Sequence, residues 1–220
     1  MNFDLGRTGY LFVVEGIDGS GKTTVCLMVV EALRKEGVHV IHLREPTSES
    51  KWGQEIRLRS PKGELTPDEE LTLFIKDREW NAKNRISPAL AEGKVVIMDR
   101  YFFATGAYQT TSTGIPWEDI LKRNREEIHA PEPDMVFILD VSVEIGLRRI
   151  GGREEDLNQQ FEQYDRLLRV RQAYLEMVER DTGNLVLVDA SRDLEVVYFD
   201  VLQQIIRYIG NEKHLERGKN

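Results

Sequence analysis

Residues 16–23 read Gly-Ile-Asp-Gly-Ser-Gly-Lys-Thr and match the pattern G-x-x-x-x-G-K-[ST] at every fixed position. An apolar run, residues 10–14, precedes this segment, and an apolar stretch of helical length follows from Thr24. A glycine-rich loop between a strand and a helix points its backbone N–H groups at an anion. The segment, called the phosphate loop below, therefore predicts a binding site for a nucleoside triphosphate. The alternative, a glycine-rich turn that binds nothing, leaves the flanking strand and helix unexplained.

The phosphate loop offers several kinds of group to a nucleotide. Its glycines allow the backbone to curl around the phosphates, Lys22 adds positive charge over the terminal ones, and the Thr23 hydroxyl can ligate Mg²⁺. The residues predicted to bind the nucleotide are Gly16, Ile17, Asp18, Gly19, Ser20, Gly21, Lys22, Thr23 and Thr24.

Short β-branched runs alternate with helix-like segments along the chain. The predicted strands are residues 10–14, 38–43, 95–98, 135–139 and 185–188. The predicted helices are residues 22–35, 67–92, parts of 100–127, 143–150, 159–180 and 193–209. Nearly continuous apolar strands that alternate with helices indicate an α/β fold, in which helices cover both faces of a parallel sheet.

Ligands of such sheets bind beyond the carboxyl ends of the strands, where this chain carries charged residues. Arg44 and Glu45 follow the second predicted strand, and Asp99 and Arg100 follow the third. An acid in that position can hold Mg²⁺, and the planar fork of an arginine can bind a second phosphate. Either pair, taken alone, is also compatible with a structural ion pair.

The composition excludes several classes of function. The chain has 220 residues, 40% of them hydrophobic, and a formal charge of -8 without a basic block, which argues against nucleic-acid binding. A single cysteine, Cys26, leaves no internal disulfide and no zinc motif. No signal peptide and no apolar stretch of roughly 20 residues is present, so we expect a cytoplasmic protein without membrane contact. We expect one domain, 1–220, with a frayed tail at 212–220.

The ordered motifs resemble those of the thymidylate kinase family from about residue 10 to residue 209. They are the phosphate loop with Glu15 before it, Arg44-Glu45-Pro46, Leu73-Phe74 with Asp77-Arg78, Pro88-Ala89-Leu90 with Gly93, Asp99-Arg100-Tyr101, Ala107-Tyr108-Gln109, Pro133-Asp134, Leu139-Asp140-Val141 and residues 169–174. The resemblance implies a three-layer P-loop kinase fold with a central five-stranded parallel sheet and a mobile lid. It also implies a homodimer that uses Mg²⁺ and ATP to phosphorylate dTMP to dTDP.

The resemblance also implies roles for individual residues. The catalytic set is Lys22, Asp99, Arg100, Arg149 and Arg153, and the last two arginines would belong to a lid at about 148–158. The metal-binding set is Thr23 and Asp99. The dTMP-binding set is Asp18, Glu45, Phe74, Arg78, Arg100, Thr105, Tyr108 and Gln109. Phe74 would stack on thymine, Arg78 would donate to its O4, and Tyr108 would crowd a ribose 2′-hydroxyl. Residues 189–192 resemble the loop beside adenine.

Three other interpretations remain open from the residues alone. Phe74 could pack in the core beside Leu71 and Ile75. The acceptor could be another nucleoside monophosphate or a nucleoside, since Ala104 replaces a serine that is usual in the family beside the base. A regulatory NTPase is a third possibility, although the chain lacks an Asn-Lys-x-Asp motif for guanine.

Overall fold

The computed structural model describes residues 8–151 and 157–217. Within these ranges, the strands are β1 (Tyr10–Glu15), β2 (Val40–Arg44), β3 (Val95–Asp99), β4 (Met135–Asp140) and β5 (Leu185–Asp189). They form one sheet in the order β2-β3-β1-β4-β5, and every neighbouring pair is parallel. The predicted five-stranded parallel sheet is thus confirmed.

The strand register brings the polar strand ends to one edge of the sheet. Asp99, the last residue of β3, pairs with Val14 of β1 on one side and with Arg44 of β2 on the other. Glu15 ends β1, immediately before the phosphate loop. The residues that the sequence places after separate strands therefore lie next to one another.

Helices flank the sheet, as predicted. In the described ranges they are α1 (Lys22–Lys35), α2 (Lys51–Arg59), α3 (Pro67–Asn81), α4 (Ser87–Ala91), α5 (Phe102–Thr113), α6 (Trp117–Glu126), α7 (Val143–Ile150), α8 (Leu157–Arg180) and α9 (Leu194–Arg217). The single helix predicted at 67–92 is interrupted by a π-helical turn, Ala82–Ile86, between α3 and α4. α9 continues past residue 209, where the sequence-predicted helix ends, and α2 lies where no helix was predicted.

The start of α3 follows from local chemistry. Thr66 and Glu69 form a capping box, in which each side chain bonds to the backbone N–H of the other residue. Pro67 occupies the first turn, where its missing N–H costs nothing. Acidic residues in that turn complement the positive end of the helix dipole. α3 therefore begins at a defined residue and carries Phe74 and Arg78 at a fixed distance from its start.

One apolar core joins the sheet to helices on its faces. Leu11, Phe12 and Val13 of β1 are fully buried, as expected for the central strand. α1 and α9 pack against each other, whereas α5 packs against α3, α6 and α8. Among the described helices, none is both long enough and apolar enough to cross a bilayer.

Candidate active site

The phosphate loop adopts a glycine-dependent conformation. Gly19 has a φ of 79° and Gly21 a φ of 97°, in the left-handed region that favours glycine. A Cβ atom on Gly19 would lie 2.1 Å from the carbonyl oxygen of Gly146 in α7. The loop thus packs directly on the backbone of α7. A larger residue at this position would not fit unless α7 moved.

Lys22 is buried at the base of the loop. Its Nζ donates to the carbonyl oxygen of Ile17 at 2.7 Å and to the Ser20 hydroxyl at 3.3 Å. Burial and the charge of Arg100 together lower the pKa of Lys22 to about 7, although nearby acids oppose the shift. An arriving anion would favour the charged form, so the lysine is poised to gain a proton when phosphates bind.

Thr23 and Asp99 meet below the loop. The Thr23 hydroxyl donates to Oδ2 of Asp99 at 2.5 Å, and the Nε of Arg44 lies 3.6 Å from the same oxygen. The Asp99 carboxylate is 1% exposed, and its Oδ1 has no hydrogen-bond partner among the described residues. Such an orphaned carboxylate oxygen beside a hydroxyl matches the hard oxygen ligands that Mg²⁺ or its waters prefer.

A cleft opens over these groups and is called the loop cleft. It is lined by Asp18, Gly19, Gly21, Lys22, Thr23, Thr24, Arg44, Asp99 and Arg100. The described residues hold no cluster of three or more His, Cys, Asp or Glu side chains that could cage a metal. This donor set suits an ion such as Mg²⁺, which commonly keeps several waters and shares its remaining ligands with substrate phosphates.

Arg100 lies at the boundary between the loop cleft and a second pocket. Its backbone has a φ of 70°, and its N–H donates to the carbonyl oxygen of Val14. The guanidinium forms an ion pair with Asp18 and lies 5.1 Å from the centroid of the Tyr108 ring. Burial would raise the pKa of Asp18, but the charges of Arg100 and Lys22 outweigh it and lower that pKa.

The second pocket, called the Phe74 pocket, adjoins the loop cleft through Arg100. It is lined by Glu45, Pro46, Ser60, Glu70, Phe74, Arg78, Arg100, Tyr101, Ala104, Thr105, Tyr108, Gln109 and Arg166. Every residue of the predicted dTMP-binding set lines this pocket except Asp18, which lines the loop cleft. The structure therefore brings together side chains from α3, α5 and the segment after β2, which are distant in sequence.

Phe74 belongs to the pocket and not to the apolar core. Its neighbours in sequence, Leu71 and Ile75, are buried and form a small cluster with Ile120 of α6. The Phe74 side chain is half-buried and faces the pocket. The core-packing interpretation therefore does not describe this ring, whose face is available to a planar ligand.

Arg78 is held by a buried polar network. Its Nε donates to Oε2 of Glu45 at 2.8 Å, one terminal nitrogen donates to Oδ1 of Asn124 at 2.7 Å, and the other donates to the Thr105 hydroxyl at 2.9 Å. Glu45 also accepts from Asn81 through its second oxygen. Glu45 is thus fully engaged by protein groups, and it orients Arg78. Burial raises the pKa of Glu45, and the charge of Arg78 opposes that shift.

Gln109 is oriented by Glu70, an acid that was not predicted to belong to the site. Its Nε2 donates to Oε2 of Glu70 at 3.1 Å, while the other oxygen of Glu70 accepts from the Ser60 hydroxyl. With its amide nitrogen occupied, Gln109 can present its carbonyl oxygen to a ligand. The hydroxyl of Tyr108, also on α5, is buried without a hydrogen-bond partner among the described residues.

Glu15 anchors the start of α5 from beneath. Its Oε1 accepts from the backbone N–H groups of Tyr101 at 2.7 Å and Ala104 at 3.0 Å, and its Oε2 accepts from the Tyr174 hydroxyl at 2.9 Å. Burial raises the pKa of Glu15 to about 7, although the charge of Arg100 opposes the shift. This carboxylate thus fixes the turn that carries Arg100.

A third pocket lies beside the loop and shares no lining residue with the Phe74 pocket. This Arg149 pocket is lined by Gly19, Ser20, Gly21, Thr24, Val25, Arg149, Ala190, Arg192, Leu194 and Val197. A terminal nitrogen of Arg149 donates to the carbonyl oxygen of Ala190 at 3.0 Å. The structure thus places Arg149 next to the segment 189–192 and away from Arg100. Arg153, the other predicted lid arginine, lies outside the described residues.

Three polar residues of the site were missed because their sequence signals are weak. Glu70, Asn124 and Arg166 are single polar residues on helices, and only the helix packing turns them toward the pocket or Arg78. Arg44 was identified at the end of a strand but was assigned no role, and it lies beside Asp99 in the loop cleft.

Comparison with known proteins agrees with this geometry. A family model described as thymidylate kinase matches residues 14–201. A probable thymidylate kinase of Archaeoglobus fulgidus is 42% identical over 204 residues, which cover 93% of this chain and 98% of the relative. A thymidylate kinase of Xanthomonas euvesicatoria is 35% identical over 223 residues, covering 100% of this chain and 95% of the relative. One from Xanthomonas oryzae is 38% identical over 197 residues, covering 90% and 83%. With the phosphate loop, the strand-end arginine and the aromatic pocket in one continuous match, this chain belongs to the thymidylate kinase family.

Proposed function

We propose that this enzyme transfers the γ-phosphoryl group of ATP to the 5′-phosphate of dTMP and so forms dTDP and ADP. The observation that carries the proposal is Arg100, which borders both the loop cleft and the Phe74 pocket. A polyphosphate in the cleft and a monophosphate in the pocket would meet at this guanidinium. The family match and the names of the relatives support the same reaction.

The chemical obstacle is electrostatic. An acceptor phosphate already carries a charge of about -1.5 to -2 near neutral pH, so no general base is needed to activate it. Two unit charges 4 Å apart repel by roughly 4 kcal/mol at an effective dielectric constant of 20, and each phosphate bears more than one charge. The enzyme must therefore surround both reactants with positive charge and hold them in line.

The donor would be held by the phosphate loop. The loop N–H groups and Lys22 would bind its phosphates, while Thr23 and Asp99 would hold Mg²⁺ directly or through waters. When bound, the ion would neutralise charge on the transferring phosphoryl group. Arg149 lines the same pocket as Arg192, so we assign it to the adenine end of the donor. We propose that Arg153 binds the γ-phosphate.

The acceptor would occupy the Phe74 pocket. Arg100 would bind its phosphate, and Asp18 would accept from its 3′-hydroxyl across the cleft boundary. The Phe74 ring would stack on thymine, and the one terminal N–H of Arg78 that the buried network leaves free is available to thymine O4. Tyr108 would exclude a ribose 2′-hydroxyl. We propose further that the enzyme is cytoplasmic, as expected from its sequence, and that it works as a homodimer, as the family resemblance implies. Sedimentation would test the oligomeric state.

A coupled assay across acceptors tests the proposed reaction. Initial rates of ADP formation would be measured with dTMP, dUMP, dCMP, UMP, CMP and thymidine at a fixed concentration of ATP and Mg²⁺. We expect dTMP to have the highest kcat/KM. Faster turnover of a ribonucleotide or of thymidine would reassign the acceptor. ADP formation that no acceptor accelerates, together with no binding of dTMP, would indicate a regulatory NTPase.

A further inference from the structure

Arg166 is a pocket residue that no sequence motif indicated. It projects from α8, and its side chain lines the Phe74 pocket. Its guanidinium carbon lies 5.8 Å from the centroid of the Tyr108 ring, and that of Arg100 lies 5.1 Å from the same ring. Two guanidinium groups therefore approach one aromatic side chain at the pocket wall.

The three arginines of the pocket differ in how their charges are offset. Arg78 is paired with Glu45, at 2.7 Å, and Arg100 is paired with Asp18. Arg166 is exposed and forms no hydrogen bond or ion pair with any other residue that the structure describes. Of the pocket's described cations, Arg166 is thus the one whose charge is not offset by a bound carboxylate.

The position of Arg166 points to one end of the pocket. Burial would raise the pKa of Asp18, whereas the charges of Arg100, Lys22 and, more weakly, Arg166 lower it. Tyr108, over which Arg166 lies, is itself a neighbour of Arg100. Arg166 therefore lies at the end that adjoins the loop cleft, whereas Arg78 is fixed by Asn124 and Glu45.

We infer that Arg166 binds the 5′-monophosphate of the acceptor nucleotide alongside Arg100. This inference rests on the proposed function and adds a second cation to the acceptor site. A dianionic phosphate must compete with Asp18 for Arg100, but it meets no such competitor at Arg166 among the described residues. The planar fork of Arg166 suits two phosphate oxygens, and its exposed side chain is free to reorient when the nucleotide arrives.

The test is titration calorimetry of dTMP and thymidine against wild type, Arg166→Gln and Arg166→Lys. Arg207→Gln is the charge-matched control, since Arg207 is exposed and lines none of the pockets described above. For Arg166→Gln we expect the Kd of dTMP to rise about tenfold, as for one charge-assisted contact at an exposed site. The Kd of thymidine should stay within twofold, and Arg166→Lys should lie between wild type and Arg166→Gln. Arg207→Gln should match wild type with both ligands.

The pH dependence separates a phosphate contact from support of the Tyr108 ring. The second pKa of a phosphate monoester is about 6, so dTMP is mostly dianionic at pH 7.5 and mostly monoanionic at pH 5. The ratio of the Arg166→Gln Kd to the wild-type Kd should therefore be larger at pH 7.5. A residue that only holds a ring in place would give the same ratio at both pH values.

Several outcomes would overturn the inference. They are an unchanged Kd of dTMP in Arg166→Gln, an equal loss of affinity for thymidine, or a pH-independent ratio. Turnover of dTMP by the wild-type preparation is measured in parallel. If wild type neither binds nor phosphorylates dTMP, the proposed function fails; if it does both while Arg166→Gln is unaltered, only the role of Arg166 fails.

Discussion

At the scale of single residues, the site is a set of arginines with different freedom to change partners. Arg78 is 1% exposed and bonded on three sides, so it acts as a fixed donor with a set orientation. Arg100 forms an ion pair with Asp18 through a terminal nitrogen and is partly exposed. A buried guanidinium held in one orientation can select a ligand by shape, whereas a partly exposed one can follow a phosphate through the reaction.

Arg100→Ala tests whether Arg100 binds the phosphate of the acceptor nucleotide. We expect kcat to fall by about 10²- to 10³-fold, as when one preorganised donor to a developing charge is removed. The Kd of ATP should change little, because the loop amides and Lys22 bind the donor. Steady-state kinetics gives kcat, and calorimetry on the same samples gives the Kd of ATP. An unimpaired kcat would contradict this role of Arg100. Alanine keeps the Cβ atom at this positive φ, so the backbone strain is unchanged.

Tyr108→Ala tests whether the ring excludes a ribose. If Tyr108 crowds the 2′ position, removing the ring should raise the ratio of kcat/KM for the ribonucleotide to that for the deoxyribonucleotide by about tenfold or more. The pair to compare is UMP with dUMP, which differ only at that carbon. Tyr108→Phe is the control, since it keeps the ring and loses only the hydroxyl. An unchanged ratio in Tyr108→Ala would discard the steric role.

Lys22 should take up a proton when ATP binds. Its pKa is lowered to about 7 in the free protein, so a large part of the lysine is neutral at pH 7.5. The phosphates favour the charged form, which raises the pKa on binding, and ATP affinity should weaken as pH rises above 7. Calorimetry in two buffers of different ionisation enthalpy counts the protons. Equal apparent enthalpies in the two buffers at pH 7.5 would show that no proton is taken up on ATP binding. A proton uptake in Lys22→Met as large as in wild type would show that the proton does not go to Lys22.

At the scale of elements, the site depends on the junction between β1 and α5. Glu15 ends β1 and accepts from two N–H groups at the start of α5, so one carboxylate joins the phosphate loop to the turn that carries Arg100. Burial raises the pKa of Glu15 from its ordinary value of about 4.5 to about 7. The folded state therefore binds a proton that the unfolded chain has released between these pH values.

Glu15→Gln should flatten the pH dependence of stability. For an acid whose folded pKa is raised, stability is greatest below the unfolded pKa and is lost as pH rises toward the folded pKa, here from about 4.5 to about 7. The Tm of wild type should fall relative to that of Glu15→Gln across this window. Thermal unfolding at four pH values measures it, with the exposed Glu31→Gln as control. Parallel Tm curves for wild type and Glu15→Gln would show that Glu15 does not titrate there.

The elements that could be predicted from sequence are those with a long apolar signal. The strands are nearly continuous apolar runs, and α1 and α7 have the predicted bounds. α2 was not predicted, because only Gly53 and Ile56 are buried in it and its sequence therefore shows no apolar face. Its start depends instead on Ser50, whose side chain accepts from the N–H of Gly53.

The candidate site could be predicted where local spacing decides which side chains meet. Asp99 and Arg100 follow a strand, so a parallel sheet must carry them to the edge that holds the phosphate loop. Arg166 and Asn124 could not be found in this way, since their positions depend on how α8 and α6 pack against α5. The position of Arg149 beside Ala190 likewise follows from the turn after β5, which periodicity does not reveal.

At the scale of the whole molecule, the sheet concentrates buried charge at one edge before any ligand arrives. Glu15, Lys22 and Asp99 are each less than a tenth exposed, and the loop cleft adds Arg44 and Arg100. Opposite charges at this edge offset each other only in part, as the shifted pKa values of Lys22 and Glu15 indicate. Ligands that complete these interactions bind only the folded chain, so they should stabilise the entire fold.

Mg²⁺ should contribute to that stabilisation through Asp99. A ligand at 100 times its Kd adds about 2.7 kcal/mol, which corresponds to a rise in Tm of about 5 to 10 °C for a chain of this size. We expect a non-hydrolysable ATP analogue to give a larger rise with Mg²⁺ than with a chelator, because the orphaned Asp99 oxygen and the Thr23 hydroxyl suit the ion. Asp99→Asn should lose the Mg²⁺-dependent part while the rise caused by dTMP remains. Equal shifts with and without Mg²⁺ in wild type, or a full Mg²⁺ effect in Asp99→Asn, would place the ion elsewhere.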